Sequence, residues 1–144
     1  MIKLTPALVI AEARRYFDAV EVEQFRNAIR MAGISETGLM PTFTQLGRYE
    51  SELLAEASVL QPHGLADVTM KKGEIYSTFT PYRAITKIRL TDSADQTRLD
   101  VRSDGIETWY VAHTPDNRDQ LRRFSVALRG KIRQAVAHDP GEQQ

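Results

Sequence analysis

The chain has 144 residues, of which 42% are hydrophobic and 26% charged, with nineteen Lys+Arg against nineteen Asp+Glu. This suits one compact domain with a small helical annex, and excludes collagen-like, highly charged disordered and multi-pass membrane classes. Zero net charge argues against nucleic-acid binding driven by bulk charge, and the absence of cysteine removes disulfides, thiolate nucleophiles and thiolate metal sites while fitting a reducing, cytoplasmic compartment.

The first 60 residues read as a helical segment. Thr5 caps a helix with Pro6 at its first position, and Leu8, Val9, Ala13, Tyr16, Phe17 and Val20 recur at spacings of three and four. Asp18-Ala19-Val20-Glu21 is a capping box that restarts the helix, followed by a second stripe at Val22, Phe25, Ile29 and Ala32. One bent helix and two short ones are both compatible with this pattern. Gly33 is a C-terminal stop. A further helix is predicted from Thr42, where Thr42-Phe43-Thr44-Gln45 matches a capping box and Leu46, Tyr49, Leu53, Ala57 and Leu60 line one face.

From residue 61 to 138 the period changes from 3.6 to 2. Candidate strands are Leu65–Lys71, Ile75–Phe79, Ala84–Thr91, Thr97–Arg102 and Glu107–His113, joined by Lys72-Gly73-Glu74, a corner at Thr80-Pro81-Tyr82-Arg83, a polar loop at Asp92–Asp95 and the Asp104-Gly105 hairpin signal. Connections this short favour antiparallel neighbours. A last helix follows Thr114-Pro115, with Leu121, Phe124, Leu128, Ile132 and Ala135 on one stripe. Residues 139–144 read as a disordered tail. The expected fold class is α+β: N-terminal helices, then an antiparallel sheet of about five or more strands closed by a C-terminal amphipathic helix.

Two stretches carry a family resemblance. Ala84-Ile85-Thr86-Lys87-Ile88-Arg89-Leu90 is similar to the middle strand of small bacterial pleckstrin-homology domains, and Phe124-Ser125-Val126-Ala127-Leu128-Arg129-Gly130-Lys131-Ile132 resembles their closing helix, with Phe124 where eukaryotic members usually carry tryptophan. The resemblance covers about residues 59–136 and implies a pleckstrin-homology-like sheet of seven strands, of which five are visible. Lys71, Lys72 and Arg83 partly match the pattern that binds phosphoinositides in that family, but Ile85 stands where the pattern wants a base, so a protein partner is expected rather than a lipid headgroup.

Between Asn117 and Ala137 there are six bases (Arg118, Arg122, Arg123, Arg129, Lys131, Arg133) and one acid, Asp119; Arg118, Arg122, Arg129 and Arg133 share a face opposite the apolar stripe. Period two places Lys87 and Arg89 on one strand face, and Arg98 and Arg102 on one face of the next, with Asp100 between them. Trp109 and Tyr110 point to opposite sides of their strand, one into the core and one out as a binding anchor. The candidate binding residues are therefore Lys87, Arg89, Arg98, Arg102, Arg122, Arg129, Arg133 and Trp109.

No catalytic, metal-binding or cofactor-binding residues are expected. His63, His113 and His138 are scattered, there is no Gly-x-Ser-x-Gly elbow or phosphate loop, and acid pairs such as Glu50/Glu52 and Asp92/Asp95 suit ordinary surfaces. The expectation is a non-enzymatic protein-binding or adaptor module with no reactive groups gathered anywhere, cytoplasmic, with no membrane span, and able to form a homodimer through its N-terminal helices. The alternative is a DNA-binding regulator. Ala32-Gly33-Ile34-Ser35-Glu36-Thr37 has the character of a helix-turn-helix turn near Arg26, Arg30 and Arg48, though Pro41 interrupts the helix that would enter the groove. A small hydrolase is a third class, to be revived by a pocket lined with titratable groups.

Overall fold

The computed structural model describes residues 5–36, 41–49 and 51–137. Helices α1 (Pro6–Ala13) and α2 (Ala19–Met31) are followed by strands β1 (Thr42–Tyr49), β2 (Glu52–Leu60), β3 (Gly64–Lys71) and β4 (Glu74–Pro81), and then by a short 3-10 helix, Tyr82–Ala84. Strands β5 (Ile85–Asp92), β6 (Thr97–Ser103) and β7 (Ile106–Ala112) lead into helix α3 (Pro115–Ala137). The tail, together with His138, Thr37 and Glu50, lies outside the described residues.

The α+β class stands, but the single sheet closed by a helix does not. Seven strands form two separate antiparallel sheets, β1-β2-β3-β4 and β5-β6-β7, and neither closes into a barrel. The helix predicted from Thr42 is instead the β1–β2 hairpin, paired from Thr42↔Val59 to Tyr49↔Glu52. The change of period therefore falls near residue 41 rather than 61. Both faces of this hairpin are covered. Ala55, Ala57 and Val59 meet the N-terminal helices, while Phe43 and Leu60 join the opposite core, so the polar/apolar alternation of a one-sided strand is missing. Ala, Leu, Glu and Gln, good helix formers, dominate the segment, and tertiary packing overrides that preference.

Of the two options at Asp18, the chain takes two helices. The Thr5 side chain accepts from the Leu8 N–H, with Pro6 at the first position. Gly33 ends the second helical stretch with φ +74°, and a Cβ there would meet Gln61 Nε2 at 2.6 Å. Val9, Ile10, Ala13, Val22, Phe25 and Ile29 pack on the β2 and β3 residues Ala55, Ala57, Val59, Ala66, Val68 and Met70, so the helices cover the outer face of the first sheet. The other face of that sheet looks toward the second sheet and α3. Phe43, Leu60 and Leu65 share a core there with Tyr82, Leu99, Val101, Tyr110, Leu121, Phe124 and Leu128. Phe43 meets Tyr110 edge-on at 6.0 Å between ring centroids, and Phe124 lies 6.2 Å from Tyr110. Asp104 (φ +51°) and Gly105 (φ +78°) make the predicted β6–β7 turn.

Candidate functional site

Seven of the eight residues singled out in the sequence fall on two adjoining surfaces. On the outer face of the second sheet Lys87 is registered with Arg102, Arg89 with Asp100, and Asp100 in turn with Trp109. Arg98 lies over the Trp109 ring at 5.3 Å and donates from Nε to Asp100 Oδ1 at 2.9 Å. With Glu107, this face carries four bases against two acids. Tyr110 is the core member of the aromatic pair and Trp109 the exposed one.

Lys87 also belongs to a second surface. A shallow groove of about 190 Å³ runs between β5 and the C-terminal half of α3, with Ile85, Ile88 and Ile132 lining it beside Lys87, Arg129 and Arg133. Strand β5 is an edge of its sheet. Arg122 is the residue the structure leaves apart. It donates to Asp92, whose carboxyl the Arg122 hydrogen bond holds below its ordinary range. Arg118 reaches the Ser93 and Ala94 carbonyls and the Thr97 hydroxyl, so these two arginines brace the β5–β6 turn rather than face a partner.

The expectation that no polar groups gather is overturned. A cavity of about 310 Å³ opens between the first sheet and β7, at the end that α3 does not fill. Its walls follow from register. Gln45, Glu56, Thr69 and Tyr76 form one row across β1–β4, and Ser58, Asp67 and Thr78 the next row inward. Asp67 accepts from the Ser58 hydroxyl and from the Tyr110 phenol, which lies 2.9 and 2.8 Å from its two oxygens. Gln45 Nε2 donates to Glu56 Oε1 at 2.5 Å. Leu54 and the β7 residues from Thr108 to Val111 complete the wall, and Lys71, Tyr76 and His113 also line the space.

Burial dominates the electrostatics. It pushes the Glu56 carboxyl from 4.5 up to about 7, helped by the nearby Asp67 and opposed by the Gln45 hydrogen bond. It also raises Asp67, against hydroxyl donors from Ser58, Tyr110 and Thr78 that favour the carboxylate. Tyr110 is raised well above its ordinary value by burial and by Asp67. Lys71, the nearest base, is engaged elsewhere. Its Nζ lies 3.8 Å from Glu52 and 5.9 Å from the Tyr76 ring centroid.

Sequence reasoning missed this site because Asp67, Thr69 and Lys71 alternate with Ala66, Val68 and Met70 in the manner of a solvent-facing strand side, and because Glu56 was placed on a helix. Only a second sheet, invisible in local periodicity, turns that polar side inward. Among the described residues no group of three or more His, Cys, Asp or Glu is arranged to hold a metal, and no helix is long and apolar enough to cross a membrane. No protein-family model and no curated protein matches the sequence.

Proposed function

We propose that the chain is a cytoplasmic protein-binding module that docks an acidic, extended segment of its partner on the β5–α3 groove and the adjoining outer face of the second sheet. The observation that carries this reading is the charge of that continuous surface. Among the described residues, Lys87, Arg89, Arg98, Arg102, Arg129 and Arg133 share this surface with the acids Asp100 and Glu107, beside the apolar positions Ile85, Ile88 and Ile132. An edge strand supplies backbone donors and acceptors to an added strand, and alternate side chains of that strand would meet the isoleucines. The bases steer an acidic partner and set its orientation.

Selection of a displayed random-peptide library on the immobilised protein tests this. Enriched peptides should alternate apolar and acidic residues, bind more weakly as salt rises from 50 to 300 mM (~tenfold or more), and lose binding to the triple variant Lys87→Glu, Arg129→Glu, Arg133→Glu. Enrichment that ignores the triple variant, or no enrichment, refutes the reading.

Self-association through the N-terminal helices has less support, since their main apolar residues already pack on the first sheet. Leu8, Val20 and Met31 remain exposed on them, and Tyr16 between them. Light scattering that finds only monomer at high concentration removes this option. For DNA binding, the helix needed beyond Pro41 is replaced by strand β1.

A further inference from the structure

A second site, independent of the docking groove, is the cavity between the sheets. We infer that it binds a small organic cation, an alkylammonium whose charged head pairs with Glu56 and Asp67 and whose chain lies along Leu54 and the Tyr110 ring.

Three observations converge. The first is space. About 310 Å³ would hold roughly ten waters or a short alkyl chain with its head group. The second is the placement of charge. Glu56 and Asp67 are diagonal neighbours on β2 and β3, both between the sheets, and both keep part of their surface open to the cavity they line. Neither has a cationic partner among the described residues. Carboxylates enclosed in protein are ordinarily paired with a cation or protonated. The third is that the remaining polar groups are already committed in a way that leaves the acids as acceptors. Ser58 and Tyr110 donate to Asp67, and the Gln45 amide donates to Glu56. Such a set holds the carboxylates in place and suits an incoming N–H donor with positive charge. It does not suit an anion.

The groups facing Glu56 are Gln45 on β1, Asp67 and Lys71 on β3, Tyr76 on β4, and Tyr110 and His113 on β7. Near pH 7 Glu56 is shared between its two protonation states, so an ammonium that pairs with it displaces a proton. Cation binding and proton release are thus linked at this site.

The test uses butylammonium chloride as probe, with 1-butanol as the neutral control and sodium butyrate as the anionic one. Backbone amide shifts should move saturably with butylammonium within ~10 mM, centred on Gln45, Glu56, Thr69 and Tyr110, and should not respond so to either control. Calorimetry at pH 6.5 in two buffers of different ionisation enthalpy should show proton release. Asp67→Asn should weaken binding at least about tenfold. Gly47→Val provides a variant that leaves the acids intact. Gly47 lines the cavity, and a Cβ built there meets nothing within 4 Å, so the added side chain has room and narrows the space without displacing the backbone. It should weaken binding while the circular dichroism and melting profile remain those of the parent. Absence of saturable shifts, an equal response to 1-butanol, shifts confined to the outer basic face, or unchanged binding in Gly47→Val would overturn the inference.

Discussion

Replacing Glu56 by Gln tests the electrostatics of the inter-sheet cavity directly. In the unfolded chain this carboxyl titrates near 4.5, and in the folded chain near 7, because burial disfavours its charged form. Between those two values the native state holds a proton that the unfolded state has lost. Stability therefore falls as pH rises through this window and levels off above it. At about 1.4 kcal/mol per pH unit, the window is worth up to about 3 kcal/mol. Glu56→Gln never ionises, and the replacing amide keeps an oxygen to accept from Gln45 Nε2, so the variant retains the hydrogen bond and escapes the penalty. It should match the parent near pH 4.5 and exceed it at pH 8 by as much as about 3 kcal/mol. Asp67 is shifted in the same direction, so a residual slope of the same sign should persist in the variant. Urea unfolding followed by fluorescence from pH 4.5 to 8.5, with an unchanged m-value, makes the measurement. A parent whose stability is flat from pH 5 to 8, or a variant less stable than the parent at pH 8, refutes the reasoning.

Tyr110→Phe removes a phenol that donates to Asp67 while keeping the ring between Phe43 and Phe124, and should cost about 1–2 kcal/mol in urea unfolding, well below a truncation of the ring. Two glycine substitutions should differ in sign by thermal melting. Gly33→Ala should destabilise by more than about 1 kcal/mol, since φ is +74° and the new Cβ meets the Gln61 side chain at 2.6 Å. Gly130→Ala, exposed within α3 with nothing near its Cβ, should stabilise by roughly 1 kcal/mol. At the acidic end the sign of the pH dependence reverses. Glu36 and Asp92 are held below the ordinary range by hydrogen bonds from Arg26 and Arg122, so their contribution is present above the ordinary carboxylate value and is lost as pH falls through their lowered ones. Acid titration should therefore show a stability maximum near pH 4.5–5, removed on its acid side when Arg26 and Arg122 are both replaced by Gln.

What was legible in the sequence was local. Thr5-Pro6, Gly33, Lys72-Gly73-Glu74 and Asp104-Gly105 each announced their turn or cap, because capping and left-handed backbone depend on a few adjacent residues. The stripe Leu121, Phe124, Leu128 is legible for the same reason, and strand period alone puts Lys87 with Arg89 and Arg98 with Arg102, while the register of β5 on β6 brings the two pairs together. Illegible were the properties set by a neighbour far along the chain. The spacing of Leu46, Tyr49, Leu53, Ala57 and Leu60 satisfies a helix, whereas the chain divides them between two paired strands and buries Ala57 and Leu60 on opposite faces of β2. Arg122 could not be separated from Arg129 by helical phase, because what distinguishes them is Asp92, thirty residues away on β5.

The residues that defeated the local reading are also those that line the cavity. Gln45 and Glu56 sit in the hairpin whose sequence suggests a helix, and Asp67 sits on a strand whose own sequence carries no sign that its polar side is enclosed. In a structure built only for stability, the inward row of a sandwiched sheet is filled with apolar side chains, as Phe43, Leu60 and Leu65 fill it at the end nearest α3. At the other end the row carries two carboxylates and leaves open space beside them. Replacing enclosed acids that have no counter-charge by apolar residues removes their desolvation cost, set against the Ser58 and Tyr110 hydroxyls that lose an acceptor. Local rules are broken here in a cluster, at one end of one interface and not at random, which is the pattern of a site that exchanges stability for binding. The double variant Glu56→Leu, Asp67→Leu draws out the consequence. It should unfold at higher urea than the parent at pH 8 and lose its response to butylammonium, while peptides selected on the β5–α3 groove bind it unchanged. A double variant less stable than the parent would mean that the acids are structural, and that the cavity is held open by hydrogen bonding to Ser58 and Tyr110 rather than kept for a ligand.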